Sequence, residues 1–301
     1  MAAAAEVVED AAEAAAVTDR VGLGWRSELA AGILANLDRI DVVEVIADDY
    51  FEAGARELRS LRTLAAPVPV VLHGVTLGLA STQSVEGTRL DAMARVVGCI
   101  EPEFWSEHLA FIRAGGVEIG HLAAPPRNAA VVEATARNVA RAAAVVGATP
   151  RLENIATLID PPGSDLDEPA WVAGILRETR GELLLDLHNL HANCVNFGLD
   201  PIDFLHRVPR SAISAVHLGS GKWIASERGE RRLLDDHLHD VPPAVFDLLA
   251  EVAEYAPRPL TVILERDGNY PPIERLLREL DAARSAIQRG RARRIAPLAA
   301  A

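Results

Sequence analysis

Short apolar runs rich in Val, Ile and Leu recur along the chain, separated by longer stretches in which apolar residues return at helical spacing among Ala, Arg and Glu. Eight runs stand out: Val21–Trp25, Val42–Ala47, Val68–His73, Phe104–His108, Arg151–Ile155, Leu183–His188, Ile213–Leu218 and Leu260–Glu265. Strands buried on both faces read as near-continuous apolar runs, the mark of a parallel sheet covered by helices. Between them, Ser27–Leu37, Arg89–Cys99, Arg127–Val146, Glu168–Thr179 and Pro243–Tyr255 have the length and composition of the crossover helices that parallel strands require, and Ile273–Ile287 supplies the last. Eight strand-helix units with no internal boundary predict a single-domain (β/α)8 TIM barrel over residues 21–288. An open doubly wound sheet also fits the alternation. However, Gly22 and Gly24 lead into Trp25, Arg26 and Ser27 without the third glycine of a phosphate-binding turn.

Outside the repeating units, the Ala-rich residues 1–20 and the basic, then Ala-rich, residues 289–301 are expected to be flexible tails. The Pro/Gly/Asp cluster Asp160–Asp167 reads as a loop at the barrel mouth, and Glu227–Arg232 as a solvated loop.

Composition narrows the function. Half of the 301 residues are hydrophobic, enough for a large core, and the net charge of −13 argues against nucleic acid or anionic lipid as a partner. Cys99 and Cys194 form no CxxC pair, so neither a disulfide framework nor a thiolate zinc site is indicated and a cytoplasmic location is expected. No run of about 18 apolar residues predicts a membrane span. The first residues carry Glu6, Glu9, Asp10 and Glu13 in place of a signal peptide's basic start.

The candidate chemistry lies where the predicted strands end. In such barrels the reactive groups come from the C-terminal ends of strands, because the loops there surround a cavity that many strands share. The third run ends in His73, the fourth in Glu107-His108, the fifth in Glu153-Asn154, the sixth in Asp186-Leu187-His188-Asn189, the seventh carries His217, and the eighth ends in Glu265-Arg266-Asp267. Residues two apart on a strand share a face, so Asp186 and His188 are expected to point into the mouth together, as are Asp235 and His237 if that segment is extended. Imidazole and carboxylate without thiolate suit Fe, Mn, Zn or Co. His73, His108, Glu153, Asp186, His188, His217, Asp235, His237 and Glu265 are more ligands than one ion takes, so two or three ions are expected at the mouth. A plainer reading of Glu265 is a buried ion pair with Arg266 or Arg151. His121, His206 and His239 read as ordinary loop or surface residues, His191 as intermediate, and Cys99, Trp105 and Trp171 as packing groups. Cys194 lies near the mouth but has no base placed beside it.

With these residues laid out, the chain resembles the multinuclear non-haem iron-dependent oxidases, peptide-modifying barrels that include the methanobactin biosynthetic oxidase. The resemblance runs from about Val21 to Pro272 and rests on Gly22-Leu23-Gly24-Trp25-Arg26, Glu44-Val45-Ile46 with Asp49-Tyr50-Phe51, Leu72-His73-Gly74-Val75, Ser106-Glu107-His108-Leu109, Leu152-Glu153-Asn154, Leu185-Asp186-Leu187-His188-Asn189 through Asn193 and Asn196, Val216-His217-Leu218, Asp235-Asp236-His237 and Leu264-Glu265-Arg266-Asp267-Gly268-Asn269. It implies the same nine residues as iron ligands, with Glu153 bridging and Glu153, Asp186 and His217 at the catalytic centre. Asn154, Asn189 and Asp267 would orient the ligands, and O2 would be the co-substrate. It also implies a ribosomally made precursor peptide modified at Cys, Asp or Asn and presented by a separate recognition protein. Where relatives commonly carry Asn in an Asp-x-Asn-Asn motif, this chain has His188, a stronger nitrogen donor. Two readings compete: a divalent-metal hydrolase or isomerase of the xylose-isomerase or endonuclease IV kind, and a non-catalytic metal-dependent peptide-binding subunit.

Overall fold

The structure, a computed structural model, describes residues 18–225 and 229–295. Twelve strands follow in chain order: β1 (Arg20–Gly24), β2 (Val43–Ile46), β3 (Val70–Gly74), β4 (Trp105–His108), β5 (Phe111–Ala114), β6 (Val117–Ala123), β7 (Arg151–Glu153), β8 (Leu183–Asp186), β9 (Ile213–Leu218), β10 (Gly221–Ala225), β11 (Arg231–Asp235) and β12 (Thr261–Leu264). Eight of these close into an all-parallel barrel in the order β1-β2-β3-β4-β7-β8-β9-β12, and β12 returns to pair with β1. The expected (β/α)8 barrel is therefore the fold. Its strands are buried along nearly their whole length, as the unbroken apolar runs require.

The helices in chain order are α1 (Ala30–Leu34), α2 (Ala55–Leu64), α3 (Gly87–Ile100), α4 (Ala129–Val146), α5 (Glu168–Thr179), α6 (Leu187–Phe197), α7 (Pro201–Arg207), α8 (Pro243–Tyr255) and α9 (Ile273–Ile295). Local chemistry fixes several starts: Asn128 and Asp167 accept the backbone N–H groups of Val131 and Ala170, and Pro169 sits early in α5, where its missing N–H costs nothing. Four sequence expectations need correction. The first helix is short and flanked by 3-10 turns at Ser27–Leu29 and Leu37–Arg39. The sixth strand stops at Asp186, whose side chain caps α6 by accepting from Asn189 N, so His188 lies in the first turn of a helix. Arg231 and Arg232 open strand β11 instead of lying in a loop, while 226–228 lie outside the described residues.

The fourth correction concerns the C-terminal end. The chain expected to be a flexible tail from residue 289 continues α9 to Ile295, and 1–17 and 296–301 lie outside the described residues. No apolar stripe announces this extension; it is held by polar contacts. Gly290 lets α9 press against α8, since a Cβ there would sit 2.1 Å from Ala250 O. Arg291 then binds Asp19 at 2.6 and 2.9 Å and the carbonyls of Ala253, Ala256 and Arg258. Two antiparallel hairpins, β5-β6 and β10-β11, are inserted after the C-terminal ends of β4 and β9. Among the described residues no helix is long and apolar enough to cross a membrane.

Candidate metal centre

Every barrel strand from β3 onward delivers a polar group at its C-terminal end. His73 lies in β3, His108 closes β4, Glu153 closes β7, Asp186 closes β8, His217 lies in β9 and Glu265 follows β12. Ladder register brings them to one level: His73 is opposite Ser106, His108 opposite Glu153, and Asp186 opposite His217. All six are at most 8% exposed. Three overlapping groups of ligand atoms, each drawn within 4.8 Å, emerge: Glu44, His73 and His217; His73, His108 and Glu153; and Glu153, Asp186, His217 and Glu265. Glu153 belongs to two of them, with Oε2 3.3 Å from His73 Nε2 and 3.5 Å from His108 Nε2, and Oε1 3.4 Å from His217 Nδ1.

The remaining expected residues form an adjoining set. His188 Nδ1 is 2.6 Å and His237 Nε2 3.0 Å from Asp235 Oδ1, and His237 Nδ1 is 3.6 Å from Glu265 Oε2. This convergence does not come from an extended Asp235–His237 segment: β11 ends at Asp235, and His237 has the left-handed φ of 52°. Backbone bonds hold it there, from His237 N to Ser220 O and from Asp267 N to His237 O. Gly221 leaves room beside this set, because a Cβ would meet Leu234 O at 2.1 Å and His188 Cε1 at 2.6 Å.

Three of the histidines have an outer nitrogen engaged away from the cluster or at its rim. His73 Nδ1 meets Ser106 Oγ at 2.8 Å, His108 Nδ1 meets Gly74 O at 3.2 Å, and His237 Nδ1 meets Asp267 Oδ2 at 3.2 Å. Such partners fix ring orientation and tautomer. Asn154 donates to Asp186 O at 3.0 Å and accepts from Asp186 N at 2.9 Å, Asn189 donates to Asn154 O, and Asp267 also binds Arg26 Nε. Glu265 faces His217 at 3.1 Å; Arg266 instead pairs with Asp240 and Glu279, and Arg151 with Glu182, so the plainer ion-pair reading of Glu265 fails.

Two buried carboxylates were not foreseen as site residues. Glu44 Oε2 lies 2.9 Å from His217 Nε2. Glu107 accepts from Leu77 N and His108 N, securing the turn after β3 against β4. Glu44 stands inside the apolar strand β2, where a charged side chain is itself the signal. His121, His206 and His239 are exposed and lie outside the cluster. Burial pushes the Cys194 thiol up to about 12, the wrong direction for a nucleophile.

Charges in the cluster alternate. Burial opposes ionisation throughout, yet His108 is raised to about 9 by Glu153 and Glu107, and His217 and His237 are held well above the usual imidazole range by Glu265 and neighbouring carboxylates. Glu265 is correspondingly well below the carboxylate range beside His217 and His237. Asp186 goes the other way, pushed well above it by burial and then by Asp235 and Glu153. Buried atoms of the cluster, including Glu44 Oε1, Glu153 Oε2, Asp186 Oδ2, His188 Nε2, His217 Nδ1 and His237 Nε2, make no hydrogen bond. Buried polar atoms left in this way are costly unless a cation satisfies them. The converging nitrogen and oxygen donors without sulfur could hold transition-metal ions.

The chain matches the family model of the RiPP precursor modification enzyme MbnB/TglH/ChrH over residues 20–288. It belongs to that family. A UPF0276 protein of Streptomyces avermitilis is 37% identical over 275 residues, covering 89% of this chain and 55% of that protein, so the chain spans about half of that relative's length. A UPF0276 protein of Anaeromyxobacter sp. is 32% identical over 258 residues, 86% of this chain and 89% of that one. Among solved structures, L-ribulose 3-epimerase superposes with a TM-score of 0.57 at 16% identity, covering 94% of this chain and 99% of that chain. For D-psicose 3-epimerase the values are 0.56 and 13%, over 89% and 97%. At that identity the epimerases share the barrel and nothing more is carried from them.

Proposed function

We propose that this chain is an iron-dependent oxidase that uses O2 to modify a Cys, Asp or Asn side chain of a ribosomally made precursor peptide. The observation that carries the reading is the position of Glu153, a buried carboxylate shared by two groups of ligand atoms at the barrel mouth, in a chain whose family modifies RiPP precursors. In this reading His73, His108, Glu153, Asp186, His217 and Glu265 would hold two iron ions, and His188, Asp235 and His237 with Glu265 would hold a third. Iron, when bound, supplies the one-electron steps by which O2 oxidises a side chain that neither acid-base nor nucleophilic groups could attack.

The protein's part is placement. Asn154 and Asn189 lock Asp186 at the junction of strand and helix, and Ser106 and Gly74 O turn the inner nitrogens of His73 and His108 toward Glu153. The hairpins after β4 and β9 and the 155–167 loop surround the mouth, where a peptide side chain reaches the centre. In this reading a separate recognition protein would present the peptide, as the family resemblance implies.

The test is element-resolved metal content of protein purified without oxygen, followed by O2 uptake on adding precursor peptide and partner. Two or more iron per chain with peptide-dependent O2 uptake is the expected result. Zinc or manganese with negligible iron, despite iron supplied during expression, would overturn it in favour of a hydrolase or isomerase. Metal and peptide binding with no O2 uptake would favour the non-catalytic subunit.

A further inference from the structure

Strand β2 contributes one charged group to the barrel interior, Glu44, set among Val43, Val45 and Ile46. It is 1% exposed, and its two oxygens differ: Oε2 lies 2.9 Å from His217 Nε2, while Oε1 is buried and makes no hydrogen bond. His217 is itself fully buried, and its other nitrogen, Nδ1, faces Glu265 at 3.1 Å and Glu153 at 3.4 Å, the carboxylates around which the ligand groups overlap. A ring has one nitrogen for a metal if the other keeps its proton. On His217, Nδ1 faces two carboxylates, Glu265 and Glu153, and Nε2 faces one, Glu44, which also falls in a ligand group with His73 and His217.

The partners of the other histidines sharpen the contrast. The outer nitrogen of His73 meets a neutral hydroxyl, that of His108 a backbone carbonyl, and that of His237 a carboxylate whose side chain is 42% exposed. His217 is the one among these four whose outer nitrogen lies within hydrogen-bond distance of a buried carboxylate; the nearest to His108 Nδ1, Glu107 Oε1, is 3.6 Å away. A hydrogen bond from a metal-bound imidazole to a carboxylate makes the ring a stronger donor and fixes which nitrogen binds, and low dielectric strengthens that effect.

We propose that Glu44 is a positioning residue: it holds the proton of His217 on Nε2, so that His217 binds metal through Nδ1 as the strongest imidazole donor of the centre. The proposal rests on reading the cluster as a metal centre and does not depend on iron or on oxidase chemistry. It is therefore tested with zinc alone. In zinc-loaded protein labelled with 15N-histidine, long-range 1H-15N spectra report, ring by ring, which nitrogen carries metal and which carries a proton. The expected result is His217 bound through Nδ1, with a far-downfield Nε2 proton. Glu44→Gln, which keeps the shape and loses the charge, moves that proton upfield and lowers zinc affinity roughly tenfold to a hundredfold. Ser106→Ala, at the neutral partner of His73, leaves the His217 signal in place. His217 bound through Nε2, which is the outcome if Glu44 is itself a ligand, overturns the proposal from the wild-type spectrum alone, even if E44Q does not fold. An unmoved Nε2 proton in a folded, zinc-loaded E44Q overturns it as well. Failure of the underlying metal-centre reading looks different: no stoichiometric zinc binding and no perturbed histidine.

Discussion

Asn154→Ala is a test of how the site is built into the barrel. Strand β7 ends at Glu153, and the β7-β8 ladder stops with Glu153 opposite Leu184. Beyond that point the Asn154 carboxamide takes over the role of a strand, accepting from Asp186 N at 2.9 Å and donating to Asp186 O at 3.0 Å, both fully inside the protein. Truncation to Ala takes the side-chain partner from a buried N–H and a buried C=O, at about 1–3 kcal/mol each, so the expected loss is roughly 2–6 kcal/mol. The assay is urea denaturation of the chelator-treated protein with the slope compared between variants, so that a change in midpoint at constant slope reads as stability. Because Asp186 also caps α6, the loosened backbone is expected to lower metal occupancy in parallel. A loss below about 1 kcal/mol with unchanged slope would refute the account, since that is no more than one ordinary exposed hydrogen bond contributes.

Other outcomes follow from the same geometry. Gly221→Ala, whose Cβ would meet Leu234 O at 2.1 Å and His188 Cε1 at 2.6 Å, is expected to cost about 1–3 kcal/mol by overpacking and to displace His188, lowering metal content measured by elemental analysis; normal content and stability would contradict it. His217→Ala removes a fully buried ring that faces Glu44, Glu153 and Glu265, and is expected to lose metal outright, with equilibrium dialysis as the check. In the metal-free protein, His108 is raised from 6.5 to about 9, so its contribution to stability is complete below about pH 6.5 and is lost as pH rises through 9. Melting temperature in chelator is therefore expected to fall across that window, and metal binding there is expected to release protons detectable by a pH-stat. A flat profile would show that His108 carries no such proton.

Strand positions were legible because barrel strands are buried on both faces, which writes them as unbroken apolar runs; the run Ile213–Leu218 coincides with β9. Candidate ligand positions were chosen for the same reason turned over. A His or Glu ending such a run, as His108 and Glu153 do, has no apolar partner to explain it. The hairpins escaped notice because β5, β6 and β10 lie mostly at the surface, so they carry neither the alternation nor the continuous burial that marks a strand. The C-terminal turns of α9 escaped because Gly290 and Arg291 hold them by close approach and by hydrogen bonds to carbonyls, a mode that leaves no apolar period.

His188 shows where pattern reasoning brings a residue to the cluster by the wrong route. Period-two spacing from Asp186 predicts a shared strand face, yet Asp186 ends its strand and caps a helix, and His188 occupies the first turn of that helix. The two converge because a helix that starts directly at a strand's C-terminal end projects its first turn over the same mouth. The cap is therefore part of the site: Asp186 Oδ1 accepts from Asn189 N at 2.6 Å, which leaves Oδ2, buried and without a hydrogen bond, to face the cluster. One carboxylate thus fixes the helix with one oxygen and offers the other as a ligand atom. Asp186→Asn keeps the capping oxygen but replaces the charged donor with a neutral amide. The expected outcome is a helix and barrel of near-normal stability with impaired metal binding, separable by comparing urea midpoints in chelator with metal content in its absence. Loss of both together, or of neither, would mean that the two oxygens do not divide the work in this way.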